Sequence, residues 1–194
     1  MIEFVEGQVR EMSPTYVVLD TGGLGYKLHI SLSTFEKIKD KKQLSLFTHL
    51  SIKEDSHSLF GFADPKERLI FRELISVNGI GTATARMVLS SLSEDEVLHA
   101  ILNGNIALLK SIKGIGPKAA QRMVLELQDK FKKLDTNISL PPTGIQAHIE
   151  DAVEALTALG FARRSVEKVL IRVSKELGDD TDTEELIKKS LKLL

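Results

Sequence analysis

The chain contains no cysteine, which excludes disulfides and thiolate metal sites and suits a reducing compartment. It has no tryptophan, eight phenylalanines and two tyrosines, few for a surface on which single-stranded bases stack. No stretch approaches the roughly 18 consecutive apolar residues of a membrane span. The first ten residues carry Glu3 and Glu6 and no apolar run, so no secretory signal is expected. Gly-x-x-x-x-Gly-Lys-Ser/Thr does not occur, which excludes a P-loop nucleotide site. These absences predict a soluble, cytoplasmic protein without cofactor, metal or membrane contact.

What is present is an uneven distribution of charge and periodicity. The 194 residues, enough for two cores and a third small one, carry a net charge of −1. Residues 1–63 carry −1, residues 64–134 carry +3 and residues 135–194 carry −3. Phosphate binding depends on where charge sits, so a polyanion is expected at the middle segment.

Ile2–Val9, Tyr16–Asp20, Tyr26–Ile30, Leu44–Ile52 and Ser58–Phe62 are β-rich runs separated by turn signals such as Ser13-Pro14 and Gly22-Gly23-Leu24-Gly25. Five short strands in residues 1–63 suggest an OB-fold β-barrel; a three-stranded sheet with a helix satisfies the same pattern. From Asp64 the period becomes helical. Asp64-Pro65 reads as an N-cap with proline at the first helical position, and Ser93 before Glu94-Asp95-Glu96 as a second N-cap. Residues 64–134 are therefore an all-α domain. Asp135, Thr136, Asn137, Ser139, Pro141, Pro142 and Gly144 predict a flexible linker over 135–147. Residues 148–194 then read as three helices: Glu150–Leu159 stopped by Gly160, Arg164–Leu177 stopped by Gly178, and Thr183–Leu194 begun by Thr183. The fold class is multidomain α+β.

The chemistry lies in a repeat. Ser76-Val77-Asn78-Gly79-Ile80-Gly81-Thr82-Ala83-Thr84-Ala85 recurs 35 residues later as Ser111-Ile112-Lys113-Gly114-Ile115-Gly116-Pro117-Lys118-Ala119-Ala120. After a one-residue shift, Arg86-Met87-Val88-Leu89 matches Arg122-Met123-Val124-Leu125. Each copy reads as a helix-hairpin-helix. Glycines turn at positive φ and leave no Cβ between the main chain and a ligand. Consecutive N–H groups can then face one concavity, which the next helix N-terminus completes as an anion site. Lys118 and Arg122, four apart, share a face and can add charge to the same phosphate. No base edge is addressed, so binding should ignore sequence. A Gly-x-Gly that merely joins packed helices explains one copy, but two copies at fixed spacing favour DNA.

These residues, in their order and spacing, closely resemble the RuvA family of Holliday junction-binding proteins. The resemblance rests on Gly22-Gly23-Leu24-Gly25-Tyr26, Phe47-Thr48-His49, Glu54-Asp55, Leu59-Phe60-Gly61-Phe62, Glu73-Leu74-Ile75, both Gly-Ile-Gly hairpins and Ala158-Leu159-Gly160-Phe161. It covers essentially the whole chain. It implies an OB-fold domain (1–63), a tandem helix-hairpin-helix domain (64–134), and a mobile three-helix, UBA-like C-terminal domain (148–194) that recruits RuvB, a ring ATPase. It further implies a homotetramer holding an open four-way DNA junction, two tetramers enclosing it, and RuvC as the cleaving partner. Branch migration in recombination and repair would then need RuvB, since no catalytic residue is expected here.

Residue by residue, the resemblance makes Asn78, Gly79, Gly81, Thr82, Gly114, Gly116, Lys118 and Arg122 backbone-phosphate contacts. Ala83 stands where the family can hold lysine, so the first hairpin should be the weaker grip. His29 matches a histidine near the DNA backbone, although a structural histidine on a strand explains it equally. Glu54 and Asp55, by composition a solvated acidic turn, become an acidic pin at the junction centre. Leu156, Leu159 and Phe161 read as core residues of the small bundle or, by resemblance, as the RuvB-docking surface. Two other classes remain open. A nuclease or other repair enzyme would need a carboxylate cluster, for which Glu54-Asp55 lacks a third ligand in sequence; a single-strand-binding OB module would need aromatic platforms.

Overall fold

The computed structural model describes residues 2–139, 145–177 and 181–194, and the chain divides into two compact units, 1–132 and 133–194.

The first unit begins with five strands: β1 (Phe4–Ser13), β2 (Tyr16–Asp20), β3 (Gly25–His29), β4 (Gln43–Ile52) and β5 (His57–Phe62). They close into a barrel in the order β1-β2-β3-β5-β4, with β1 pairing β4 and the single parallel pair between β3 and β5. This is the OB arrangement expected. Alternation sets the register, because every second side chain points inward: Val17 and Leu19 of β2 and Leu44 and Leu46 of β4 are buried, joined inside by Val5, Leu28, Ile30, Ile38 and Leu59. The Gly22-Gly23-Leu24-Gly25 run is the β2–β3 hairpin turn, tied by the Gly23 N–H donating to Asp20 Oδ1 at 2.8 Å.

One element escaped the sequence reading. Between β3 and β4 lies helix α1 (Leu32–Ile38), capped by Ser31, whose Oγ accepts from the Thr34 N–H. Seven residues give too few turns for helical periodicity to stand out beside five strands. The helix is nevertheless the joint of this unit. Its Ser31 and Thr34 hydroxyls both donate to the carboxylate of Glu67, a fully buried side chain of α2 (Pro65–Ser76). Lys37 of the same helix reaches Asp64 Oδ2 at 2.6 Å and Glu94 Oε1 at 2.7 Å.

Burial raises the Glu67 carboxyl above its ordinary value, against the opposing hydrogen bonds from Ser31 and Thr34. A raised acid favours the folded state most below its unfolded pKa, and that contribution is lost as pH rises through the folded pKa. Urea midpoints of the native protein minus those of Glu67→Gln should therefore decline from pH 4 to pH 7. Parallel pH curves for the two proteins would contradict this assignment.

The remaining helices of this unit are α3 (Thr82–Ser91), α4 (Glu94–Leu102), α5 (Ile106–Ser111) and the start of α6 (Pro117–Ser139). Both predicted N-caps are present. Asp64 accepts from the Glu67 N–H with Pro65 at the first position, and Ser93 forms a reciprocal capping box with Glu96. Phe71 of α2 joins barrel to helices: its ring lies 5.1 Å from Phe60, 4.9 Å from Phe62 and 5.5 Å from His49.

The second unit holds α7 (Ile145–Ala158), α8 (Arg163–Leu177) and α9 (Thr183–Ser190) around Ala152, Val153, Leu156, Val166, Leu170, Val173 and Leu186. Gly160 ends α7 as expected: at φ 100° it places its own N–H on Thr157 O and the Phe161 N–H on Leu156 O, a Schellman closure. Helix α9 begins at Thr183 with Glu184 and Glu185 in its first turn, as expected; Asp182 caps it by accepting from the Glu185 N–H, and the Thr183 hydroxyl pairs with His148 Nδ1 at 2.9 Å. The linker bounds differ from expectation. In the predicted linker, 135–139 continue α6 and 145–147 begin α7, while 140–144 lie outside the described residues, as does the Gly178 stop. Asp, Thr, Asn and Ser cost a helix only about 0.7 kcal/mol each at most, too little to end one already nucleated.

Candidate nucleic-acid interface

The two glycine hairpins have the same backbone. In the first, Val77 caps α2 at φ −77° and ψ 128°; in the second, Ile112 caps α5 at φ −78° and ψ 129°. The turn is closed by Ile80 N–H to Val77 O at 3.0 Å in one copy and Ile115 N–H to Ile112 O at 3.1 Å in the other. Gly79 and Gly114 stand at φ 92° and 94°, a region that side chains with a Cβ rarely adopt. Val77, Ile80, Ile112 and Ile115 are buried and anchor the turns, whereas Gly79, Gly81, Gly114 and Gly116 face open space. The sequence pattern Gly-Ile-Gly is thus an inward hydrophobe between two outward main-chain surfaces.

The helix starts differ in a way that favours an anion. Helices α1, α2, α4, α5 and α9 each have a side-chain oxygen accepting one of their first N–H groups. Helix α3 starts from Gly81 with no side-chain cap. Its leading N–H groups at Thr82, Ala83 and Thr84 remain available to a phosphate oxygen, with the positive end of the helix dipole behind them. At the second hairpin, Lys118 and Arg122 are exposed on the first turns of α6, and Arg122 Nη1 lies 3.5 Å from the Asn78 carbonyl oxygen of the first turn. Lys113, exposed in the second turn where the first has Asn78, adds a cation that the site prediction omitted. Its signal was the repeat alignment itself.

The one-residue shift in the repeat is not a structural equivalence. Burial follows the 35-residue offset at the innermost positions: Ala85 corresponds to Ala120 and Val88 to Met123, all buried. Leu89 is 2% exposed while its apparent partner Leu125 is 82% exposed. A shift of one residue rotates a helical position by about 100°, so identical letters point to different environments. Arg86 accordingly turns to the barrel, donating to Thr15 O at 3.2 Å and lying 3.4 Å from His29 Nδ1, while Arg122 faces the hairpins.

His29 is half-buried, its ring 5.6 Å from Phe60, and lines a cleft of about 100 Å³ with Ser58, Thr82, Ala83 and Arg86. The fold therefore does bring His29 beside Thr82 of the first hairpin. Burial first, then the Arg86 and Lys27 charges, hold its pKa below the ordinary histidine value. Glu54 and Asp55 occupy the exposed tip of the β4–β5 hairpin, closed by Lys53 N–H to Ser56 O at 2.8 Å. Among the described residues neither carboxylate is in an ion pair. The three carboxylates that do share metal-ligand spacing among the described residues are Asp64, Glu67 and Glu94, and the Lys37 ammonium already bonds two of them.

In the second unit, the predicted docking trio separates. Leu156 is fully buried and is corrected to a core residue, since its place as the third-from-last residue of α7 faces the bundle. Phe161 packs against the same core, and Leu159, 64% exposed, is the member of the trio that offers apolar surface. Among the described residues no helix is long and apolar enough to cross a membrane.

A barrel carrying an acidic hairpin, joined to two matched glycine elbows of which the second is flanked by Lys113, Lys118 and Arg122, defines a DNA-binding protein of the tandem helix-hairpin-helix class. Family models described as "RuvA N terminal domain", "SAM-like Helix-hairpin-helix tandem" and "RuvA, C-terminal domain" match residues 1–61, 71–129 and 147–194. The chain belongs to the RuvA family. It is 47% identical over its full length, and that of the relative, to a protein of Christiangramia forsetii, and 43% identical, again over both full lengths, to proteins of Bacteroides thetaiotaomicron and Flavobacterium psychrophilum. Each of these relatives is named Holliday junction branch migration complex subunit RuvA.

Proposed function

We propose that this chain binds four-way DNA junctions by their sugar-phosphate backbones, as a subunit of a branch migration complex. The observation that carries this reading is the pair of matched hairpins, whose main-chain N–H groups and open glycines suit phosphate and address no base. Asn78, Gly79, Gly81 and Thr82 form one contact, with His29 alongside; Gly114, Gly116, Lys118 and Arg122 form the other. Four subunits assemble around the junction, so that the exposed Glu54-Asp55 tips gather at the crossover. At a separation of about one Debye length, roughly 10 Å, they repel phosphates and keep the strands apart. The second unit recruits the RuvB ring ATPase through the apolar surface that includes Leu159, and RuvC acts on the same complex. A second tetramer can close over the opposite face. Motor activity belongs to RuvB.

Gel shifts with a synthetic four-way junction and a linear duplex of the same sequence test the reading. The junction should bind more tightly, and Lys118→Ala should weaken it about tenfold and reduce the salt slope by about 0.9, the value of one phosphate. Neutralising Glu54 and Asp55 as amides should strengthen duplex binding and narrow the preference for the junction. Equal affinity for both DNAs would overturn the junction assignment, and junction cleavage with magnesium alone would favour a nuclease.

A further inference from the structure

Each hairpin turn is built by its own local hydrogen bonds, but nothing local sets the distance between the two turns. That distance depends on how α6, which follows the second hairpin, lies against α2, which precedes the first. Buried Met123, Leu127 and Phe131 supply packing along α6. Packing of this kind fixes which face of α6 is buried, but it leaves room for axial shifts smaller than the rise of one residue, about 1.5 Å. A phosphate clamp tolerates about 0.5 Å.

Directional bonds supply what packing does not. Lys130 Nζ of α6 donates to Glu73 Oε2 at 2.7 Å and to Ser76 Oγ at 3.2 Å, 57 and 54 residues away. The Ser76 hydroxyl in turn donates to the Glu73 carbonyl at 2.7 Å, so each group of the bracket has a defined role. Two turns earlier on α6, Arg122 lies 3.5 Å from the Asn78 carbonyl. The contacts run in reverse order: the earlier residue of α6, Arg122, meets Asn78 in the turn after α2, and the later one, Lys130, meets Glu73 and Ser76 in its last turn. The first turn has alanine at position 83 and no cation of its own, while the second turn's Arg122 stands beside it.

We propose that Glu73, Ser76 and Lys130 are positioning residues that hold α6 in the register where Arg122 serves both hairpin turns, making the two turns one clamp on a single duplex arm. This rests on the DNA-backbone reading above and adds to it what sets the spacing of the clamp. A partly exposed ion pair contributes only about 0–1 kcal/mol to folding. Its removal should therefore leave the protein folded and alter the register.

The test uses the full-length protein and a synthetic four-way junction, with affinity measured across a salt series. Lys130→Met should melt within a few degrees of the native protein, bind about tenfold more weakly, and lose about 2 from the salt slope, two phosphates' worth. Glu73→Gln, which leaves every cation in place, should show the same loss in milder form. The exchange of both residues, Glu73→Lys with Lys130→Glu, should restore affinity and slope, because it rebuilds the bracket. An exchange variant as weak as Lys130→Met would show that Lys130 touches phosphate directly and would overturn the proposal. So would unchanged affinity and slope in both single variants. If the native protein bound no DNA, the underlying reading and this one would fall together; if it bound and the variants matched it, only the bracket would fall.

Discussion

Replacing Gly79 and Gly114 together by valine is expected to weaken junction binding by about 100-fold, which corresponds to about 2.7 kcal/mol. Both residues stand at φ near +93°, where a β-branched side chain costs about 1–3 kcal/mol of backbone strain. An added Cβ meets no atom within 4 Å at either site, so the core is untouched and relief comes from rotating the turn. Rotation re-aims the N–H groups that are proposed to grip phosphate. Gly22→Val is the matching control. Gly22 has φ 82° and equally open surroundings, but it lies in the β2–β3 hairpin turn, outside the proposed interface. It should carry a similar stability cost and bind junctions normally. Gel shifts beside urea melts for the native, double and control proteins separate strain from function. If Gly22→Val lost as much affinity as the double variant, or if the double variant bound like the native protein, the hairpins would not be the grip.

Phe71→Ala carries the largest expected loss of stability, about 3–5 kcal/mol. The ring is 1% exposed and touches Phe60, Phe62 and His49, so its removal leaves a cavity between rigid elements that cannot collapse onto one another. Against a typical total of 5–15 kcal/mol, the first unit would be left close to its limit. The measurement is convenient because the chain has no tryptophan, and both tyrosines, Tyr16 and Tyr26, lie in the barrel. Tyrosine fluorescence therefore reports unfolding of the first unit alone. The second unit has its own core, and its helical circular dichroism should persist at urea concentrations where the variant's tyrosine signal is lost. A midpoint shift worth under 1 kcal/mol would mean that the aromatic joint does not hold barrel and helices together.

In the proposed function, the acidic tip and the hairpins would divide the work by electrostatics. The hairpins would draw phosphates in with amide dipoles and with Lys118 and Arg122, while Glu54 and Asp55, exposed at their turn, would push them out. Attraction alone would favour any duplex. Repulsion at one fixed point favours a DNA whose strands are already diverging, which is how a protein without base contacts gains structural selectivity.

Much of this was legible in the chain. Strand alternation, the Asp64-Pro65 and Ser93 caps, the Gly160 stop and the twin Gly-Ile-Gly turns are local signals, each set by residues within four positions of one another. The misreadings have a common cause. The four-residue identity of Arg86–Leu89 with Arg122–Leu125 looked like part of the repeat, yet burial showed the two runs one helical position apart. Leu156 and Leu159 looked alike, and only the bundle turned one inward and the other out. Helix α1 was too short to show a period, and 135–139 contain residues that discourage a helix without being able to stop one.

By itself, then, the order of residues determined the five strands, the Asp64, Ser93 and Gly160 helix ends and the two matched glycine turns, because hydrogen bonds within a turn and side-chain period along an element are short-range; it left the barrel as one of two arrangements. Tertiary structure alone decided that Glu67 would be sealed beneath Ser31 and Thr34, that Arg86 would serve the barrel, and that Lys130 would meet Glu73 across 57 residues. Such pairings arise when packing brings distant segments together, and no spacing in the chain encodes which distant polar group a given side chain will find.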